Sequence, residues 1–167
     1  YTSQAGYCYV CAWEKDGKTF VVSLLGCGWP NHKTYKWSDT KKLLSYGSYN
    51  YNYETYWQEP QTEKILVTDG VEDDQDIGTL IYLRGKCSVT SDDRNKKILL
   101  KKGESVICQT EIPPKVSAPV LKGEKLGRIA YYLNGELIDS YPVYAEKSVE
   151  KISFKWYVEK VFHGFFH

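Results

Sequence analysis

The sequence predicts a mainly β protein. Two strands and a helix come first, then an all-β sandwich-like domain, and an amphipathic helix closes the chain. Three observations carry that prediction. Short runs of β-branched and aromatic residues recur from about residue 64 onward, separated by Gly, Asp and Asn clusters at the spacing of a sandwich or barrel. Asn134-Gly135 stands between two such runs, the strongest short-range hairpin signal in the chain. Phe154, Tyr157, Val158, Val161, Phe162 and Phe165 then recur at steps of three, one, three, one and three, which is one stripe of a helix.

Residues 7–14 (Tyr-Cys-Tyr-Val-Cys-Ala-Trp-Glu) are apolar on both alternating faces, the pattern of a strand covered on both sides and central in a sheet. Asp16-Gly17 is a hairpin turn, and residues 19–25 are the return strand. Residues 26–31 read as loop. A helix is expected over about 36–46, with Ser38 as its cap, Leu43 and Leu44 facing inward and Gly47 as its stop. Residues 49–62 read as a linker rich in tyrosine. Strands are expected over 64–68, 79–83, 87–90, 97–100 and 105–112, before Pro113-Pro114 interrupts the run. Residues 126–133 and 136–143 form the hairpin about Asn134-Gly135. The organisation expected is therefore 1–48, 49–62 as linker, 63–148 as the β domain and 149–167 as the amphipathic helix.

Composition limits the function classes. Of 167 residues, 42% are hydrophobic and 26% charged, which fits a globular chain. The net charge is +1 and no Lys/Arg stripe is present, which argues against nucleic acid as a partner. No run of about 18 apolar residues exists to span a bilayer. Fifteen tyrosines and five tryptophans favour β structure, interfaces and membrane-water boundaries without naming a ligand. In the C-terminal stripe, aromatic rings beside Lys155 and Lys160 favour a helix lying in the membrane interface over a core-packing one. Trp156 and Phe166 interrupt its polar face as interfacial aromatics do. The chain has no methionine, at position 1 or elsewhere, so residues 1–47 are read as the edge of a larger domain.

Several constellations fall short of a site. Cys8 and Cys11 have half of a zinc spacing, but residues three apart on a strand point to opposite faces, and there is no second pair. The odd set of Cys8, Cys11, Cys27, Cys87 and Cys108 implies no disulfide framework. The acidic run 72–76 lacks the alternating ligands and distal glutamate of a calcium loop, so no metal is expected. Ser38-Asp39-Thr40-Lys41, Ser148-Val149-Glu150-Lys151 and Ser48-Tyr49-Asn50 match Ser-x-x-Lys and Ser-x-Asn. The pattern is short, and no Lys-Thr-Gly completes the set, so none is read as catalytic.

Four stretches carry a family resemblance. Tyr1-Thr2-Ser3-Gln4-Ala5-Gly6-Tyr7-Cys8 resembles the segment just after the Lys-Thr-Gly motif of penicillin-binding D-alanyl-D-alanine carboxypeptidases. Leu24-Leu25-Gly26 and Asp39-Thr40-Lys41-Lys42-Leu43-Leu44-Ser45-Tyr46-Gly47 resemble the last strand and helix of that family's catalytic domain. Ala118-Pro119-Val120-Leu121-Lys122-Gly123-Glu124-Lys125-Leu126-Gly127 with the Asn134-Gly135 hairpin resembles its C-terminal β domain, and the tail resembles its amphipathic anchor.

The resemblance implies that residues 1–48 are the C-terminal fragment of an α/β penicillin-recognising domain. It implies a parent enzyme that trims peptidoglycan stem peptides ending in D-Ala-D-Ala through a serine acyl-enzyme. The nucleophile motifs would lie outside this chain, no cofactor is implied, and the fragment alone would be inactive. The Tyr1 backbone N–H matches a donor of the family's oxyanion hole, with Thr2 beside it, and Lys33 lies near where some members place a basic residue. Phe154, Trp156, Tyr157, Val158, Val161, Phe162, Phe165 and Phe166 would contact the membrane, on the extracytoplasmic face of a bacterial cell. The two N-terminal strands with an open edge invite an edge-paired or swapped dimer. The competing reading is a stand-alone β-rich binding or assembly module at the cell envelope. A third, that the chain is itself a hydrolase, requires Ser38 or Ser48 to be nucleophilic.

Overall fold

A computed structural model describes residues 2–72 and 75–165, with backbone only for 163–165. The fold is mainly β. The chain divides into two units, Tyr1–Tyr56 with Lys96–Ser105, and Trp57–Asn95 with Val106–His167.

In the first unit, β1 (Tyr9–Lys15) and β2 (Lys18–Leu24) form the expected antiparallel hairpin, with Tyr9 opposite Leu24 and Lys15 opposite Lys18. Asp16 and Gly17 take φ of 53° and 71°, the two positive values a primed two-residue turn requires. Alternation sends Tyr9, Cys11, Trp13, Lys18, Phe20 and Val22 to one face. There they meet α1 (Tyr35–Asn50), as the Tyr9–Trp37 ring contact at 5.0 Å and the Phe20–Gly47 approach illustrate. Val10 and Val21 lie on the other face and are exposed. The expectation of a strand covered on both sides is therefore corrected: within this unit α1 covers one face only.

The helix also differs from its expected outline. Thr34, not Ser38, holds the N-cap position, and the Ser38 hydroxyl sits inside the helix, donating to the Tyr35 carbonyl at 2.9 Å. Leu44 is half-buried but Leu43 is exposed. Gly47 does not stop the helix. It lies buried within the last turns because a Cβ there would meet the Phe20 ring at 2.9 Å. The helix runs on to Asn50, and its end passes directly into β3 (Tyr51–Thr55).

Part of the expected linker is thus strand, because Tyr51 and Tyr53 alternate in a run with a partner far along the chain. That partner is Lys97–Lys101, β8 in chain order, paired antiparallel with Tyr53 opposite Leu99. The sequence pattern places Lys97–Lys101 among the strands of the second domain; its ladder lies in the first unit.

The second unit contains β4 (Ile65–Thr68), β5 (Gly70–Val71), β6 (Ile81–Leu83), β7 (Gly85–Cys87), β9 (Val106–Glu111), β10 (Lys115–Ser117), β11 (Lys125–Leu133), β12 (Glu136–Ala145) and β13 (Glu150–Lys151). One sheet has the order β7-β12-β11-β9, a second β10-β4-β6, and β13 pairs with β5. Asn134 and Gly135, at φ 52° and 84°, turn β11 into β12 as expected. The run expected as a strand over 87–90 ends at Cys87. Thr90 instead caps a short helix, α2 (Ser91–Arg94), in a capping box with Asp93. Ile65, Val67, Ile81 and Leu83 from one sheet pack with Leu126 and Ala145 from the other, so both sheets share a core. At its side, Trp57, Tyr131 and Tyr141 make mutual ring contacts with centroids 5.5–6.0 Å apart. The fully buried Tyr131 donates to the Gln58 carbonyl at 3.0 Å, and burial pushes its phenol well above the ordinary tyrosine range. The chain ends in α3 (Phe154–Phe165).

Candidate functional site

Two regions are expected to carry function, one at each end of the chain. The N-terminal region is built from two loops. Gly6 N donates to the Thr2 carbonyl at 2.9 Å, and the Thr2 hydroxyl accepts from Ala5 N at 3.0 Å, which folds residues 2–6 into a tight turn. Tyr7 N then donates to the Gly28 carbonyl at 2.8 Å, and Cys27 N donates to the Tyr7 carbonyl at 2.7 Å. The glycines reflect closeness: a Cβ on Gly6 would sit 2.8 Å from Gly28 O, and one on Gly28 would sit 2.4 Å from His32 O. So the turn bearing Thr2 packs on the loop that leads, through the 3-10 turn Pro30–His32, to Lys33. Thr2 and Lys33 are both exposed on these neighbouring segments. Tyr1 lies outside the described residues, so its backbone N–H is not placed.

Beside this loop stands Lys36, which no motif in the sequence marks. Its Nζ stands 4.9 Å from the Trp37 ring centroid, 5.6 Å from Tyr7 and 6.0 Å from Tyr9, a cation held among three aromatic faces. The only signal in the sequence is an excess of aromatics, since the rings come from a strand, a loop and a helix. The serines behave as structural groups. Ser38 is bonded within its helix, Ser48 lies in the last turn of α1, and the Ser148 Oγ accepts from Lys122 N at 2.9 Å. Cys8 is exposed just before β1, whereas Cys11 is half-buried on the helix-covered face. Of the acidic run, residues 73 and 74 lie outside the described residues, and the Glu72 carboxylate pairs with Lys147.

The C-terminal region is α3. Ser153 caps it, accepting from Trp156 N at 3.2 Å, and Lys155 pairs with Glu159 one turn on at 3.7 Å. Of the stripe, Phe154 is 84% exposed, Phe162 60%, Val161 45% and Tyr157 42%, while Val158 is half-buried. Fully burying a side chain of this kind stabilises by about 1.5–3 kcal/mol, and Phe154 and Phe162, the most exposed of the stripe, forgo most of that gain. Twelve residues span about 18 Å, well short of a bilayer core of about 30 Å. Among the described residues no helix is long and apolar enough to cross a membrane. Trp156 lies elsewhere. It is half-buried in the wall of a cavity of about 350 Å³, opposite residues 69–72, 75–76 and 78–80, and its indole N–H is enclosed with no acceptor among the described residues. The side chain of Phe165, and Phe166 as a whole, lie outside the described residues.

The two sheets on one core agree with the resemblance to the C-terminal β domain of penicillin-binding carboxypeptidases. Residues 88–151 match the family model of the "Penicillin-binding protein 5, C-terminal domain". The chain as a whole is similar to the C-terminal portion of D-alanyl-D-alanine carboxypeptidases. It is 23% identical over 164 residues to the D-alanyl-D-alanine carboxypeptidase DacF of Bacillus subtilis (strain 168), covering 96% of this chain and 38% of that protein. Among solved structures, the carboxypeptidase DacD from Francisella tularensis aligns over 91% of this chain and 35% of that chain, with a TM-score of 0.44 and 21% identity. Penicillin binding protein 5 from Haemophilus influenzae aligns over 90% of this chain and 41% of that chain, with a TM-score of 0.37 and 24% identity. The chain therefore spans about two fifths of the length of its curated relative.

Proposed function

We propose that this chain acts as the C-terminal portion of a serine-type D-Ala-D-Ala carboxypeptidase that trims peptidoglycan stem peptides. In this reading the chain supplies three things: the segment bordering the acyl-transfer site, a β spacer over 63–148, and a membrane tether over 149–167. The nucleophile and its proton-transfer partners come from other parts of the enzyme. The Tyr1 backbone N–H joins the oxyanion hole, and Thr2 and Lys33 border the stem peptide. The tether holds the enzyme against the extracytoplasmic face of the bacterial cell membrane.

The observation that carries this reading is the exposed apolar stripe of α3, held at the end of a domain of matching family. An interfacial helix has that form: too short to cross, with rings and aliphatic groups on one side and lysines on the other. A core helix would bury the stripe.

Two measurements test it. Flotation with liposomes should recover the full chain in the lipid layer, and a chain lacking residues 150–167 should stay in the aqueous fraction; equal flotation of both removes the tether. Incubation of the chain alone with a fluorescent penicillin should leave it unlabelled. Covalent labelling would overturn the assignment of the nucleophile to another part of the enzyme.

A further inference from the structure

We infer that the turn carrying Ile77 and Leu80 enters the membrane interface together with α3, so that the domain is seated on the lipid by two elements. This inference rests on the tether reading and adds a second contact site to it.

The turn is built to hold apolar groups outward. Thr79 N donates to the Asp76 carbonyl at 3.2 Å, and Gly78, at φ 89°, supplies the positive value needed between them. A Cβ placed on Gly78 would meet nothing within 4 Å, so the tip is open on that side. Ile77 is 50% exposed and Leu80 63%. Both side chains leave half or more of their surface uncovered by the domain, and grouped exposed apolar surface marks a contact site.

The turn is continuous with the helix. Leu80 and Thr79 line the same cavity as Ile152, Trp156 and Tyr157. The two elements are also tied at their bases. Glu150 and Lys151 pair with Val71 and Gly70, Ile152 N donates to the Asp69 carbonyl at 2.8 Å, and Val149 packs where a Cβ on Gly70 would fall. The segment leading into α3 is therefore paired with Gly70 and Val71, a few residues before the turn in the sequence.

The chemistry fits a lipid surface held by burial. Between residues 146 and 160 there are four lysines and three glutamates, and residues 72–76 before the turn add one glutamate and three aspartates, so the two segments together are net acidic. Glu72 is paired with Lys147 and Lys155 with Glu159, while Asp76 stands exposed beside Ile77. Such a surface gains little from anionic headgroups, and its contacts are aliphatic and aromatic. The lipid it fits is zwitterionic, and its binding should resist salt.

The test is partition of the full chain onto extruded phosphatidylcholine vesicles at low and high salt. Replacing Ile77→Asp and Leu80→Asp together should lower the partition coefficient about tenfold, as should Phe154→Asp with Phe162→Asp, whereas Leu137→Asp, on the β11–β12 hairpin, should leave it unchanged. The substituted residues are exposed, and unaltered circular dichroism and thermal unfolding of each variant establish that the fold is kept. As a gain-of-binding check, Ile77→Trp should raise the partition. If the turn variants partition like the unaltered chain while the helix variant is lost, this inference is overturned and the tether stands. If the helix variant also binds normally, the tether falls with it. Loss of binding at high salt would overturn the assignment to burial.

Discussion

The Lys18 Nζ donates to the Tyr51 carbonyl at 3.0 Å, from a side chain that is almost entirely buried. The same ammonium donates to the Ser48 carbonyl at 3.1 Å and to Asn52 Oδ1 at 3.0 Å. The last turn of α1 has no basic residue of its own, and Lys18 brings one from the neighbouring strand. A cation there satisfies carbonyls left over at a helix end and faces the negative pole of the helix dipole.

Removing that cation should loosen the junction between α1 and β3. Lys18→Met keeps the bulk but leaves enclosed carbonyls unpaired, at about 1–3 kcal/mol for each group stranded. We expect a loss of about 3 kcal/mol in the first unit, with Lys18→Arg losing less. Hydrogen exchange of amides 47–55 measures it directly. If those amides keep their protection in Lys18→Met, the junction does not depend on the lysine.

Gly47 poses a question of sign. On an exposed helix surface, Gly→Ala is favourable by about 1 kcal/mol. Here the added Cβ would lie 2.9 Å from Phe20 Cε1 and 3.0 Å from Cδ1, and overpacking of this kind costs about 1–3 kcal/mol. Gly47→Ala should therefore destabilise by about 1 kcal/mol. In a Phe20→Leu background the same change should become neutral or stabilising. A double-mutant cycle by urea unfolding reads the coupling, and a coupling near zero would show that the two residues do not press on each other.

What could be read from the sequence was local chemistry. Asp16-Gly17 and Asn134-Gly135 dictate their own turns, and the stripe of α3 needs only periodicity. The misreadings have tertiary causes. Gly47 looks the same whether it stops a helix or makes room for a ring, and only the position of Phe20 decides. Tyr51 and Tyr53 alternate as a strand should, yet their partner lies near residue 99, too far along the chain to be inferred from pattern. Lys18 comes directly after a turn glycine, and nothing near it in the sequence marks the carbonyls of Ser48 and Tyr51 that it meets. The N-terminal region suffers most, because Lys36 is held by rings from three separate segments, and no spacing announces such a site.

Glu111 should set part of the acid sensitivity of the β domain. The Arg128 Nε donates to its Oε2 at 2.7 Å and the Tyr132 hydroxyl donates to its Oε1 at 2.6 Å. These bonds, Arg128's first, hold the carboxyl below its ordinary value of 4.5. A carboxylate whose folded value lies below its unfolded value adds stability above the unfolded value, and that stability disappears as pH falls through the folded one. Glu111→Gln should thus be less stable than the unaltered chain at pH 7, and the gap should close below about pH 4.5 as the unfolded-state group protonates. Thermal unfolding from pH 7 to pH 3 measures this; a gap that stays constant would mean that the bonds do not favour the charged form.

Trp156 separates docking of α3 on its domain from contact with lipid. Its ring lines the cavity against residues 69–72, 75–76 and 78–80, with the Lys160 Nζ 5.8 Å from its centroid, and its enclosed N–H finds no acceptor among the described residues. An enclosed donor left unpaired costs about 1–3 kcal/mol, so Trp156→Phe, which keeps a ring and removes the donor, should unfold at the same temperature or higher. Trp156→Ala removes the ring itself. Full burial would make that change cost about 3–5 kcal/mol, and at half burial we expect about 2 kcal/mol, with faster exchange of amides 156–160. Both variants should partition onto vesicles within about twofold of the unaltered chain at temperatures where α3 remains folded, because each apolar contact to lipid is worth about 1.5–3 kcal/mol and Trp156 makes none in this arrangement. A large loss of partition in Trp156→Phe, with its stability intact, would place the indole in the membrane interface instead of in the cavity wall.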